Sequence, residues 1–217
     1  MPPSTATIFI VDDDASFLRA VARLLRGSGF VVKNFTSAAE FLAWPELDVP
    51  GCVLVDLQMP GVSGLDLQEA LAKAGHRLPV IFLSGHGDIP TTVRAMRRGA
   101  EDFLTKRVPK EQLLEAVKRA LARDARERAE RGRVQGLCAR FEALTERDGE
   151  VLFHVLRGQL NKQIAADLGI DERSVKRHRT SIMAKLRVQS VAELTHLVHD
   201  AGLISVMAQG RSVISNQ

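Results

Sequence analysis

The chain has 217 residues, of which 45% are hydrophobic and 26% charged, with two cysteines and a formal net charge of +4. That composition describes a globular protein long enough for two domains and excludes a disulfide scaffold, a low-complexity chain and, with no apolar run near ~20 residues, a helical membrane protein. Charge is unevenly placed: residues 1–107 carry 11 basic and 12 acidic groups, whereas Arg173–Arg187 carries six basic groups and no acid.

Ile8 to Val11 are a short apolar run that reads as a strand and ends abruptly in Asp12, Asp13 and Asp14. Phe17, Leu18, Val21, Leu24 and Leu25 recur at helical spacing, with Asp14 placed to cap that helix and Gly27 and Gly29 to end it. Val31–Phe35 reads as a second strand, and Ser37–Trp44 as a short helix stopped by Pro45. Cys52–Val55 is a third strand closed by Asp56. Met59-Pro60-Gly61 then turns the chain into a helix from Ser63. Pro79–Leu83 gives a fourth strand, ending in Ser84-Gly85-His86-Gly87. A helix of about Pro90–Arg98 follows, with Val93 and Met96 as its apolar face, and Asp102–Thr105 makes a fifth strand closed by Lys106. Strands alternating with helices predict a parallel sheet wound on both faces.

Right-handed crossovers bring all the strand C-termini to one edge, so Asp12, Asp13, Asp56, Ser84 and Lys106 can converge there. Each alone would be an ordinary loop residue; together they form a chemically coherent set. Three carboxylates crowded together repel unless a cation joins them, and hard oxygen ligands favour Mg2+. Beside that ion Asp56 can attack a phosphoryl group and form an aspartyl phosphate, with Lys106 and Ser84 supplying a cation and a hydroxyl for its oxygens.

With IVDDD, VLVDLQMPGVSG, IFLSGHGD and GAEDFLTK each at a strand end, roughly residues 5–120 resemble the receiver domain of bacterial two-component response regulators, most closely the FixJ type. The resemblance implies a flavodoxin-like fold, Asp56 as phosphoacceptor, and Asp12, Asp13, Asp56 and the backbone carbonyl of Gln58 as Mg2+ ligands. It also implies Ser84 and Lys106 as sensors of the phosphoryl group and Phe103 as a switch residue. One departure is visible: the family places proline directly after the lysine, often behind a cis bond, and here Arg107 stands there. A cis bond before a residue other than proline costs about 2.5–4 kcal/mol, so a trans bond or a remodelled loop is expected.

From Pro109 the composition turns to Arg, Glu, Ala and Leu. Leu113, Leu114, Val117, Ala120 and Leu121 form a core face that gives way to the charged DARERAERGRV. This predicts the last helix of the first domain running into a linker as a solvated face, ending near Gly132 or Gly136. Expected boundaries are 1–121 for the first domain, 122–139 for the helical linker, 140–204 for a second domain and 205–217 for a tail.

In the second domain Thr145 is a predicted helix N-cap, ahead of Val151, Leu152, Val155 and Leu156 as an apolar stripe ending at Gly158. Asn161 is expected to cap a short helix through Leu168. Asp171 should cap a long one through Leu186, buried along Val175, Ile182 and Leu186, and Ser190 should begin a fourth. Two helices joined at Gly169 form a helix-turn-helix whose second member carries Lys176, Arg177, Arg179 and Thr180 on its polar side. Six unopposed cations there point to nucleic acid. The stretch LTERDGEVLFHVLRGQLNKQIAADLGIDERSVKRHRTSIMAKLRVQSVAEL resembles the LuxR-type four-helix DNA-binding domain. That likeness implies Lys176, Arg177 and Thr180 as base readers, with Asn161, Lys162, Ser174 and His178 positioning the backbone or packing.

The two resemblances imply a NarL/FixJ-type transcription factor. It would be phosphorylated by a cognate histidine kinase, dimerise on phosphorylation, bind double-stranded DNA and work with RNA polymerase. Arg94, Arg97 and Arg98, with Glu101, Asp102, Glu111 and Glu115, offer mixed charge for a two-fold pairing. Two rival readings are a DNA-binding protein whose receiver works without phosphorylation, and a Mg2+-dependent phosphohydrolase. The second needs an acid/base beside the nucleophile, and Leu57 and Gln58 supply none. Cys52 and Cys138 have no metal-knuckle spacing and suit a reducing cytosol. The opening MPPSTATIFIVDDD lacks the basic and apolar regions of a signal peptide, so a cytoplasmic location is expected.

Overall fold

The computed structural model describes residues 6–85 and 89–200. His86 and Gly87 of the expected loop, the domain end at 204 and the tail lie outside them. The chain divides into two compact units, 1–129 and 130–217.

The first unit alternates strand and helix: β1 (Thr7–Val11), α1 (Ala15–Gly27), β2 (Val31–Phe35), α2 (Ala38–Leu42), β3 (Gly51–Asp56), α3 (Gly64–Lys73), β4 (Val80–Ser84), α4 (Ile89–Arg97) and β5 (Asp102–Thr105), followed by α5 (Lys110–Glu142). The strands form one parallel sheet in the order β2-β1-β3-β4-β5. Ile8 and Ile10, Cys52 and Leu54, Ile81 and Leu83 face a core shared with α1 and α5. Their alternates Phe9 and Val11, Val53 and Val55, Val80 and Phe82 face a core shared with α2 and α3. Covering both faces is why these strands read as unbroken apolar runs.

Local signals set the helix ends. Asp14 caps α1 by accepting from the N–H groups of Ser16 (2.8 Å) and Phe17 (3.2 Å). Ser63 and Asp66 cap each other's backbone at the start of α3. Gly64 is needed there for a different reason: a Cβ on it would lie 2.4 Å from the carbonyl oxygen of Asp56. Only a bare backbone lets α3 start this close to the end of β3.

Two expectations are qualified in this unit. Val93 and Met96 do lie on an apolar side of α4, but it is uncovered: they stand 43% and 44% exposed, Ile89 is 78% exposed, and the buried residue of the helix is Ala95. A nine-residue helix packed at its small side leaves its larger apolar side chains outward. The mixed-charge patch is also partly used up within the chain: Arg98 pairs with Glu69 (3.3 Å), Arg119 with Asp102 (2.5 Å) and Arg123 with Glu101 (3.1 Å).

Helix α5 passes Gly132 and Gly136 and ends at Glu142, and its charged stretch is not wholly a solvated face. Asp124 is 2% exposed and accepts the Gly51 N–H at 2.9 Å. Arg128 grips the same carboxylate at 3.0 Å, the Asp48 carboxylate at 3.0 Å and the Val49 carbonyl at 2.6 Å. This ties the helix to the segment entering β3.

The second unit packs α6 (Glu146–Leu156), α7 (Asn161–Leu168), α8 (Glu172–Leu186) and α9 (Val191–Asp200) around Val151, Leu152, Ile164, Val175, Ile182, Leu186 and Leu194. The cap of α7 is not Asn161, which is its first helical residue. Leu160 occupies the cap position, and its N–H is satisfied at 2.8 Å by Gln163 reaching back. Asp171 caps α8 as expected, and Gly169, at φ 64°, supplies the left-handed turn between the two helices.

Replacing Asp124 by Ala leaves the buried Gly51 N–H without an acceptor. It should destabilise the first unit by about 1–3 kcal/mol in urea unfolding and speed amide exchange at Gly51.

Candidate functional sites

Parallel register delivers the first site. Val11 pairs with Val55, so Asp12 and Asp56 leave adjacent strands at the same level. Asp56 pairs with Leu83, and Ser84 with Thr105, so Ser84 follows one step outward and Lys106 two. The strand order reverses between β1 and β3, the position at which open α/β sheets hold their ligands.

Asp12 (1% exposed), Asp56 (6%) and Ser84 (2%) are buried, while Asp13 is exposed. The Lys106 ammonium lies 2.7 Å from Asp12 Oδ2 and 2.9 Å from Asp56 Oδ2, and 4.7 Å from the centre of the Phe17 ring. Among the described residues no cis peptide bond occurs, so Lys106 reaches this place through a trans bond to Arg107. Burial raises the Asp12 pKa above its ordinary value, against the lowering effect of Lys106 and of the Asp14 N–H. Burial would lower the Lys106 pKa, but its bonds to Asp12 and Asp56 outweigh that and raise it.

Asp12, Asp13 and Asp56 offer carboxylate oxygens all within 4.8 Å of one another. Apart from the Lys106 ion pair, buried Asp12 Oδ2 has no hydrogen-bond partner. An all-oxygen set with a buried, under-satisfied carboxylate suits a hard divalent cation. Gln58, two residues beyond Asp56, donates its N–H to Asp56 Oδ1 at 3.3 Å. Phe103 is half-buried on β5, its ring 6.1 Å from that of Phe82.

The second site is the outer side of α8. Lys176, Arg177 and Thr180 are exposed there, as is Lys162 on α7, and Asn161 is half-buried. Thr180 donates its hydroxyl to the Lys176 carbonyl, and Ser174 donates its own to the capping Asp171. Arg179 is half-buried beside Val155, Asn161 and Val191.

The inner side of α8 carries a feature the sequence did not disclose. Asp148, 2% exposed, accepts from His178 Nδ1 at 2.8 Å and Lys185 Nζ at 2.7 Å, and caps the Thr145 N–H at 3.2 Å. Against the cost of burial, Lys185 and His178 hold its pKa down at about 2. Thr145 was legible as a helix cap, but nothing local names the two partners of Asp148 on α8.

The sequence profile of the response regulator receiver domain matches residues 8–118, and that of the bacterial regulatory proteins of the luxR family matches residues 142–198. The chain belongs to the two-component response regulators. It is 43% identical over 197 residues to the response regulator protein TodT of Pseudomonas putida, covering 91% of this chain and 87% of TodT. It is 37% identical over 204 residues to the transcriptional regulatory protein FixJ of Azorhizobium caulinodans, covering 93% and 95%. Among solved structures, the response regulator StyR superposes with a TM-score of 0.87 at 44% identity over 90% of this chain and 99% of StyR. Full-length FixJ from B. japonicum superposes at 0.56 and 32% identity over 92% and 98%. This response regulator is therefore a DNA-binding transcriptional regulator of receiver and LuxR-type architecture, not a classical enzyme.

The depressed Asp148 pKa has a signed consequence. A carboxyl whose pKa falls on folding stabilises the fold above its ordinary value of 3.8, and that contribution is lost as pH drops towards about 2. The contribution is on the order of 2 kcal/mol. Hydrogen exchange at Val151, Leu152 and Ile182 should accelerate over this acid window in the wild type, and Asp148→Asn should lack that step.

Proposed function

We propose that Asp56 is the phosphoacceptor of this regulator, and that its phosphorylation by a cognate histidine kinase drives dimerisation and promoter binding. The observation that carries the proposal is the Lys106 ammonium shared between Asp12 and Asp56 at the strand ends. An oxygen of the Asp56 carboxylate attacks phosphorus, the bond from phosphorus to the kinase's histidine breaks, and the phosphoryl group stays as an acyl phosphate. Lys106 stands ready to neutralise a phosphoryl oxygen, and Ser84, one residue beyond the level of Asp56, to donate its hydroxyl to another. Asp12, Asp13, Asp56 and the Gln58 carbonyl would hold Mg2+, which when bound offsets the charge that builds on the phosphoryl oxygens.

The conformational part is a population shift. Drawing Lys106 and Ser84 toward the phosphoryl group moves the ends of β4 and β5, the strands that carry Phe82 and Phe103. The surface affected includes α4, where Ile89, Val93 and Met96 recur at helical spacing and stand exposed beside Arg94 and Arg97. With Glu101, Asp102 and Arg98 engaged in cis, this apolar stripe carries more of the two-fold contact than ion pairs do. Two copies of the LuxR-type unit then occupy related half-sites, Lys176, Arg177 and Thr180 reading bases and Lys162 holding phosphate. The regulator would act in the cytoplasm, with RNA polymerase as the eventual partner. Among the described residues, no helix is long and apolar enough to cross a membrane.

Incubation with acetyl phosphate and Mg2+ should add one phosphoryl mass, located on Asp56. Label persisting in Asp56→Asn would refute the assignment. Asp13→Ala should keep the nucleophile but need more Mg2+, and an unchanged metal requirement would count against its role as ligand. Arg177→Ala should relax sequence preference at a cost of about 1–3 kcal/mol, while Lys162→Ala should weaken binding to every sequence and flatten its salt dependence.

A further inference from the structure

Asp148 is the most heavily bonded buried carboxylate of the second unit, and its bonds run to Thr145 and to His178 and Lys185 on α8. It sits in the first turn of α6, and its two partners, His178 and Lys185, lie seven residues apart on α8. Seven residues are about two helical turns, so both partners share one side of α8, roughly 10 Å apart along its axis. They reach the carboxylate from its two sides. Lys176 and Thr180 lie roughly 160° around the helix from His178, on the outer side. Besides a long hydrogen bond from Arg140 to the Leu186 carbonyl (3.5 Å), α8 is held by apolar packing through Val175, Ile182 and Leu186, and apolar contact tolerates sliding better than directional bonds do.

From this geometry we infer that Asp148 is a positioning residue for DNA reading, a clamp that fixes the axial register of α8 and so the placement of Lys176, Arg177 and Thr180 against base edges. Sliding α8 in either direction stretches one of the two bonds. A base contact depends on sub-ångström placement, whereas a phosphate contact through a long flexible cation does not. The clamp therefore acts on discrimination between sequences more than on general attraction to DNA. The inference rests on α8 as the reading helix.

The test uses the full-length protein, a duplex selected from random sequence by the wild type, and an unrelated duplex of equal length. The quantity read is the ratio of the two affinities, which is insensitive to the fraction of protein folded because unfolding weakens both alike. Asp148→Asn keeps the shape but loses the charge, and the ratio should fall about tenfold, while affinity for the unrelated duplex and its salt slope hold nearly constant. Lys185→Met, which leaves the Thr145 and His178 bonds in place, should lower the ratio too and serves alone if Asp148→Asn does not fold. The double variant should be no worse than the poorer single one, because the two share one interaction. A ratio unchanged in both variants, with both affinities scaled by the unfolded fraction, would reduce Asp148 to a stability role and overturn the inference. Arg177→Ala distinguishes the two levels. If it lowers the ratio and the clamp variants do not, the clamp alone fails; if neither does, the reading helix was misassigned.

Discussion

A single ammonium between two buried carboxylates is the constraint on which the first unit turns. Burying Asp12 and Asp56 at the edge of a parallel sheet would leave like charges close together in a poorly solvated place. Lys106 makes that tolerable, at 2.7 and 2.9 Å from their oxygens. It also means that any change in the charge on Asp56 is felt first by the residue that follows β5. The sheet supplies the rigidity: in β1, Ile8 to Val11 are wholly buried, and register fixes which strand ends meet. Asp56 and the end of β5 are thus linked through one side chain.

The same device appears twice more with other purposes. Asp124 is buried on α5 and satisfied by the Gly51 N–H and Arg128, which fastens that helix to the entry of β3. Asp148 is buried on α6 and satisfied by His178 and Lys185, which fastens α8. A buried ion pair adds little net stability over an apolar one, but removing one partner is costly, so such groups specify position more than they add strength. Apolar packing gathers the helices, and these carboxylates fix where they stop.

Much of this was legible in the sequence because it is local. Fully buried parallel strands show as apolar runs, so β2 fell on Val31–Phe35, and β1, β3 and β4 within a residue or so at each end. Asp14, Ser63, Thr145 and Asp171 announce helix starts through hydrogen bonds spanning only a few residues. The acid cluster was legible because topology alone brings strand ends together. What failed was everything that depends on a distant partner. Asp124 and Arg128 looked like part of a solvated charged run because Gly51 is 73 residues away along the chain. Periodicity marked Val93 and Met96 as an apolar side of α4, but it could not say whether anything covers that side, and among the described residues nothing does. Asn161 looked like a cap because its residue type suits one, yet Gln163 already served the Leu160 N–H.

The role proposed for Lys106 is to carry the signal from Asp56 to the surface that joins two copies. Sedimentation of wild type and Lys106→Met, each with and without Mg2+ and beryllofluoride as a phosphoryl mimic, tests it most directly. The wild type should move from monomer towards dimer on adding the mimic, and Lys106→Met should bind it yet keep its monomer fraction. A Lys106→Met protein that dimerises as fully as the wild type would contradict the claim.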